Sequence, residues 1–303
     1  MTDEKRKPNL FDFATSELSH DAFIAWLISW ADPFHKKQNK LLHLTALDFL
    51  KLIFDRNEIK FPKINEIEVK TQHMRMDVYV KINETLHLVI EDKVYSKTVN
   101  KQLDGYVKKL SDKKSIERSN ILGVFYKTRD QSARQFKENS YYSLERRDIL
   151  EILLKCRKAG LKNDIIDQYY EYLRSIENEV ESYIRLNPVE WKNSQWRGFF
   201  KFLSKEFEDV DWSYVHNESQ GFMGFWWNSK RKLDYHVYLQ IEKNKLCFKV
   251  RNDNHEFVAG KTKRNWLEVV LEIAKEKNAP IVKPGKLVLL PLNSICIFSH
   301  TSS

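Results

Sequence analysis

Cysteine is nearly missing from this chain: Cys156, Cys247 and Cys296 are odd in number and widely spaced. That excludes a disulfide framework and a cysteine-based zinc site, and it fits reduced, mostly buried thiols in a cytoplasmic protein. Glycine is scarce as well, with eight in 303 residues, and none falls in a Walker or dinucleotide pattern. A nucleotide-driven mechanism is therefore not expected. The nine histidines show no ligand spacing, and His20, His43 and His73 read as packing or surface residues. No uninterrupted apolar run approaches the roughly 20 residues that span a membrane. The opening stretch Met1-Thr2-Asp3-Glu4-Lys5-Arg6-Lys7-Pro8 has no apolar core of a secretion signal.

What the chain does have is apolar content and positive charge. Hydrophobic residues make up 42% and aromatics 13%, which excludes a wholly disordered chain. The net charge of +9 points to a polyanionic partner, with ordinary solubility as the plain alternative. Residues from 186 onward carry +5 of it and the rest +4, so no basic tail stands out.

The most informative residues are Asp77 in Met74-Arg75-Met76-Asp77-Val78-Tyr79-Val80, and Glu91-Asp92-Lys93 after Leu88-Val89-Ile90. Apolar and polar residues alternate in both runs, so both read as β-strands. Val78, Val80 and Ile82 form one apolar set, and Leu86, Leu88 and Ile90 the other. Burying both sets together requires an even sum of paired residue numbers. The tightest such hairpin turns on Asn83-Glu84-Thr85 and pairs Val80 with Leu88 and Val78 with Ile90. It sets Asp77 opposite Glu91 and Arg75 opposite Lys93, all on the polar face. Two acids can hold a hard divalent cation, and a lysine adds positive charge near an attacking water or a phosphate. The competing structural reading is a pair of exposed acids neutralised by Arg75 and Lys93. Asp92, one residue on from Glu91, points to the opposite face of its strand.

With these residues the chain resembles the PD-(D/E)XK nuclease superfamily, the fold of many restriction enzymes and Holliday-junction resolvases. The likeness runs over roughly residues 9 to 150. It includes an N-terminal helix, Phe11-Asp12-Phe13-Ala14-Thr15-Ser16-Glu17-Leu18-Ser19-His20-Asp21-Ala22-Phe23, then Arg75-Met76-Asp77, Ile90-Glu91-Asp92-Lys93, and Gln102 with Tyr106. Met76 stands where the superfamily's name has proline, a position widely replaced within it. The resemblance implies an α/β fold with a restriction-endonuclease-like core, an α-β-β-β-α-β mixed sheet flanked by helices.

Amphipathic spacing predicts helices over 15–30 and 40–55, ended in the first case by Asp32-Pro33. A strand over 67–71, a helix over 97–111, a buried strand over 120–126 and helices over 145–158 and 163–185 follow. Asn187-Pro188 is the expected boundary, giving a nuclease-like domain over 1–186 and an α+β region over 187–303 that would bind substrate or a partner. Beyond it, a helix is expected around 190–208, strands at Tyr235 to Ile241 and Leu246 to Val250, a helix near 263–277 and a strand at Leu287 to Leu290. Trp226, Trp227, Tyr235 and Tyr238 admit a base-stacking role beside Lys230-Arg231-Lys232, but core packing is the stronger reading.

The resemblance implies a metal-dependent nuclease acting on nucleic acid, DNA first, in restriction, repair or phage defence. Asp77, Glu91 and Glu17 would hold Mg²⁺, with Mn²⁺ able to substitute, and the Asp92 carbonyl as a further ligand. Lys93 would act on the water or the transition-state charge, while Gln102 and Tyr106, on one helical face, orient the lysine or the phosphate. Glu17 at a helix start is also explained by the helix dipole alone. The alternative function is a non-catalytic nucleic-acid-binding module with a nuclease-like fold. No membrane association is expected, and a homodimer or a protein partner stays open.

Overall fold

The alternating runs around Asp77 and Glu91 form a hairpin in the register that their apolar sets demand. In the computed structural model of the protein, β2 (Met76–Ile82) pairs antiparallel with β3 (Leu86–Lys93), Val78 facing Ile90 and Val80 facing Leu88. The loop is Asn83-Glu84-Thr85, and Asn83 takes a left-handed φ of 53°. Its amide oxygen accepts the Asn65 backbone N–H at 2.8 Å while its nitrogen donates to Lys63 O at 3.0 Å. The structure describes residues 7–93, 100–114, 116–132, 141–216, 221–232, 235–242, 245–252, 259–278, 289–290 and 294–301.

The chain groups into two compact units, 1–130 with 135–178 and 131–134 with 179–303. In the first, a short helix α1 (Leu10–Phe13), α2 (Glu17–Ser29) and α3 (Lys40–Arg56) precede β1 (Ile67–His73) and the hairpin. Then come α4 (Asn100–Lys114), β4 (Ile121–Lys127), β5 (Tyr142–Glu145), α5 (Arg146–Lys158) and α6 (Asp164–Glu181). The sheet order is β1-β2-β3-β4-β5, antiparallel through β3 and parallel from β3 to β5. Every residue of β4 is buried, as a strand covered on both faces requires.

Two cores lie against the two faces of this sheet. Val78, Val80, Leu88, Ile90, Val124 and Tyr126 pack with residues of α2, α3, α5 and α6. On the other face Tyr79, Val89 and Phe125 pack under Leu103, Val107 and Leu110 of α4. The hairpin's polar face is thus a covered one: Glu91 on it is 0% exposed, as is Asp92 on the opposite face. The competing reading of exposed acids fails for Glu91 because α4 covers this face, and Tyr79 and Val89 carry the apolar signal for that closure. Met76, at the superfamily's proline position, is also fully buried in this second core.

A buried polar network pins the exit of β4 to α5 and α6. Arg146 donates to Glu177, Asp130 and Thr128 O, and all three side chains are almost wholly buried. Paired and fully hydrogen-bonded, such a cluster fixes geometry more than it adds stability.

The second unit contains α7 (Asn193–Leu203), α8 (Ala259–Glu276) and a six-stranded antiparallel sheet ordered β10-β11-β9-β8-β7-β6. Its strands are β6 (Asp211–Val215), β7 (Phe222–Lys232), β8 (Tyr235–Glu242), β9 (Lys245–Asn252), β10 (Leu289–Leu290) and β11 (Ser294–Thr301). Trp196 and Phe200 of α7 pack on Trp212, Met223 and Phe225. Trp227 joins them, its ring 5.5 Å from Phe225 and from Phe207, which favours core packing for that residue. Gly198 lets α7 close on the last turn of α6 and the residues after it, because a Cβ there would sit 2.2 Å from Val180 O and 2.8 Å from the Tyr183 ring. Gly198→Ala is expected to cost about 3 kcal/mol, the upper range for overpacking a tight contact. Chemical denaturation measures this, and a loss below about 0.5 kcal/mol would show that the helix shifts freely.

Candidate active site

Three elements of the first unit converge on a cluster of carboxylates. Glu17 opens α2, and Asp21 lies one turn later on the same helical face. Asp77 stands near the start of β2, and Glu91, Asp92 and Lys93 end β3. These acids act on one another through their charges. Burial pushes the Glu91 carboxyl up to about 7, and the Asp77 charge adds to the shift against the pull of Lys93. Burial and the charges of Asp77, Glu91 and Glu17 push Asp21 up to about 7 as well, while a hydrogen bond from Gln72 opposes the shift.

Several bonds fix this arrangement. Asp77 Oδ2 accepts the Asp92 backbone N–H at 2.9 Å, so one oxygen of that carboxylate is held by the neighbouring strand. Lys93 Nζ donates to Glu91 Oε1 at 2.5 Å, with the two side chains 12% and 1% exposed. The lysine is thus not the open strand residue that alternation suggests, and an ion pair does form, between Lys93 and Glu91. Arg75 takes no part in it. It lies not in a strand but in the two-residue β1–β2 turn, with φ 73°. Gln72 Nε2 reaches Asp21 Oδ2 at 3.2 Å.

Some polar atoms are left over. Glu91 Oε2, Asp21 Oδ1 and both carboxylate oxygens of Asp92 are buried without a hydrogen-bond partner. Burial and the charges of Asp21, Glu17 and Asp77 hold the Asp92 carboxyl well above its usual range, despite Lys127. The Asp92 side chain lies on the α2 side of the sheet, where Tyr126 and Tyr169 both feel its charge. Those two hydroxyls are 2.8 Å apart, and Tyr169 continues to His20 Nδ1 at 2.9 Å. Burial, then the Arg129 charge, lowers His20 to about 4, so it packs as a neutral ring.

On the other side, α4 brings Gln102 and Tyr106 together, with Nε2 donating to the hydroxyl at 3.3 Å. Burial raises the Tyr106 phenol, and the charges of Glu91 and Asp77 add to the shift, which places the ring beside the acids. All seven residues singled out from the sequence thus belong to this unit. Asp21 was not among them. Its signal is the four-residue spacing from Glu17.

Among the described residues no three acidic, histidine or cysteine groups are placed to hold a metal ion between them. The donor set nonetheless suits a hard cation that keeps much of its water. Such an ion needs only one or two carboxylates, and a cation relieves the repulsion that raises Glu91 and Asp21.

A sequence model of the PD-(D/E)XK nuclease superfamily matches residues 8–185. The chain belongs to this superfamily, and its mixed five-stranded sheet with flanking helices is consistent with the restriction-endonuclease-like fold. The match extends past the expected 9 to 150 and takes in α5 and α6, whose Tyr169 stacks on Phe23 of α2 at 3.6 Å between ring centroids. No curated protein and no solved structure matches the chain. Membership points to a nuclease with a nucleic-acid substrate, in a superfamily that usually uses divalent metals. No helix among the described residues is long and apolar enough to cross a membrane.

Proposed function

We propose that this protein is a metal-dependent nuclease that hydrolyses DNA phosphodiester bonds in the cytoplasm. The observation that carries the reading is the Asp77–Glu91 pair, two carboxyls near enough to repel, with Lys93 Nζ 2.5 Å from Glu91. Asp77 and Glu91 would hold Mg²⁺, or Mn²⁺ in its place, with Glu17 and the Asp92 carbonyl as further ligands. Bound there, the cation would polarise a phosphoryl oxygen and lower the pKa of a coordinated water.

The chain's own residues do the rest. The Asp92 N–H holds one Asp77 oxygen, Oδ2, so that Oδ1 would be the one to meet a cation. Lys93 is held protonated: burial opposes its charge, but the bond to Glu91 and the surrounding acids outweigh it. It can therefore orient the water and offset the charge that develops on the phosphorus oxygens. Tyr106, joined to Gln102, borders the same acids and can position the substrate phosphate. The region from 187 onward would bind substrate or a partner.

A panel of linear, circular, branched and single-stranded substrates with Mg²⁺ or Mn²⁺ tests the activity on the full chain. Metal-dependent scission of at least one DNA substrate is expected, and RNA cut in preference would replace the DNA assignment. Calorimetry should show Mn²⁺ binding to the wild type, weakened at least about tenfold in Asp77→Ala. Equal binding by both proteins removes Asp77 from the ligands. Binding without scission under every metal leaves the non-catalytic module as the function.

A further inference from the structure

Next to the acids, a cleft of about 490 Å³ opens between α4 and the β1–β2 turn. Its charge is strongly biased, with Arg75, Lys108 and Lys109 against the single carboxylate of Asp112. Arg75 and Lys108 are exposed, and neither forms an ion pair among the described residues. Helical spacing explains how α4 presents this wall. Leu103, Val107 and Leu110 are buried against the sheet. Gln102, Gly105, Tyr106 and Lys109 lie one step around the helix, along one side. Gln102 and Tyr106, bonded to each other, line the cleft, and Arg75 on its other wall stands two residues before Asp77, so the cleft borders the candidate active site.

The turn that carries Arg75 is unusual. His73 pairs with Met76, leaving Met74 and Arg75 as a two-residue loop with φ of 55° and 73°. Such a loop favours Asn-Gly, because a side chain with a Cβ is strained at positive φ. Gln72 just before it is left-handed too, at 52°. Packing explains Met74, which contacts the core beneath α4. Nothing in the packing requires an arginine at the following position. Lys109 Nζ donates to Met74 O at 3.0 Å and ties the strained turn to the cleft's other wall. The turn thus holds, at a strained position, an exposed cation with no ion pair among the described residues.

We propose that this cleft seats the phosphates flanking the scissile one, with Arg75 and Lys108 as their cationic partners. The proposal rests on the nuclease reading and specifies where the substrate strand runs. A guanidinium fork matches phosphate oxygens in two bonds, and lysine supplies a point charge. Lys109 positions the turn. Gly105 leaves the space between them clear, since a Cβ there would meet nothing within 4 Å.

Binding of the full chain to a short fluorescein-labelled duplex and its matching single strand, in EDTA over a range of KCl, provides the test. Arg75→Gly should melt no lower than the wild type, because glycine suits the turn, yet bind about tenfold more weakly. Each cation removed, Arg75→Gly or Lys108→Ala, should lower the slope of log affinity against log salt by about one. Gly105→Glu should weaken binding by about tenfold or more, and Gly105→Gln by clearly less, since both fill the same space. Wild-type affinity and salt slope in Arg75→Gly, Lys108→Ala and Gly105→Glu would overturn the cleft, even if the wild type cuts DNA. Conversely, a wild type that never cuts while these variants lose binding keeps the cleft and removes the nuclease. Polyglutamate competing as well as DNA, and losing affinity equally in the variants, would make the cleft an acidic-peptide site and overturn the proposal.

Discussion

Lys93→Met should slow cleavage by about a thousandfold, the scale of losing one charge aimed at a transition state. Asp77→Asn should do the same through weaker cation binding. The variant must be chosen with the structure in mind. A strand lysine in open solvent could be removed at little cost to folding, but Lys93 is partly buried and bonded to Glu91 at 2.5 Å. Breaking a buried pair from one side typically costs about 3–5 kcal/mol. Here the cost is smaller, because the Glu91 carboxyl already sits up at about 7 and can take a proton. Methionine fills the space of the lysine stem, and Lys93→Arg keeps the charge while changing its geometry. Cleavage time courses beside thermal melts separate folding from chemistry. A folded Lys93→Met that cuts at the wild-type rate would remove the mechanism, whatever became of the metal.

How much of this was readable in the chain depends on the range of the signal. The hairpin register was fixed by six residues with period two, since a slip of one would turn Val78, Val80 and Ile82 away from the core. Helices α2, α3 and α4 followed from apolar spacing in the same local way. Strands β5, β6, β7 and β11 did not. Tyr142–Glu145 is four residues long, runs straight into α5 and pairs in parallel with β4, so no turn marks it. Asp211–Val215 is mostly half-buried and lacks a clean alternation.

The site divides in the same manner. Asp77, Glu91 and Lys93 were visible because the hairpin brings them together through short-range pairing. Asp21 was not, because its burial depends on α2 docking against a sheet whose first strand lies some fifty positions later; Gln72 then reaches it from β1. Arg75 was placed in a strand because Met74-Arg75-Met76-Asp77 keeps the alternation. Only the backbone shows that residues 74 and 75 turn through positive φ. The covered polar face was partly legible after all, in Tyr79 and Val89, but a handful of apolar residues cannot by themselves say which helix covers them.

Divalent metal should stabilise the protein strongly at about pH 8 and hardly at all at about pH 5, by linkage between proton and cation. Burial and neighbouring acids push the Glu91 and Asp21 carboxyls up to about 7 in the fold, from ordinary values of 4.5 and 3.8. A raised carboxyl binds its proton more tightly folded than unfolded. Its contribution to stability is therefore complete below the unfolded value and is lost as pH rises through about 7. Above that pH the metal-free fold holds repelling carboxylates, which a cation would relieve; below it, the cation must displace protons. With metal at about a hundred times its Kd, the gain is about 2.7 kcal/mol, or roughly 5–10 °C in Tm. Melts in Mn²⁺ and in EDTA at both pH values measure it, with Asp77→Asn as the variant in which the gain should shrink. Calorimetry at about pH 6 in buffers of different ionisation enthalpy should also show protons released on binding. A Tm gain that is equal at the two pH values, or that persists in full without the Asp77 carboxylate, would place the cation away from Asp77 and Glu91.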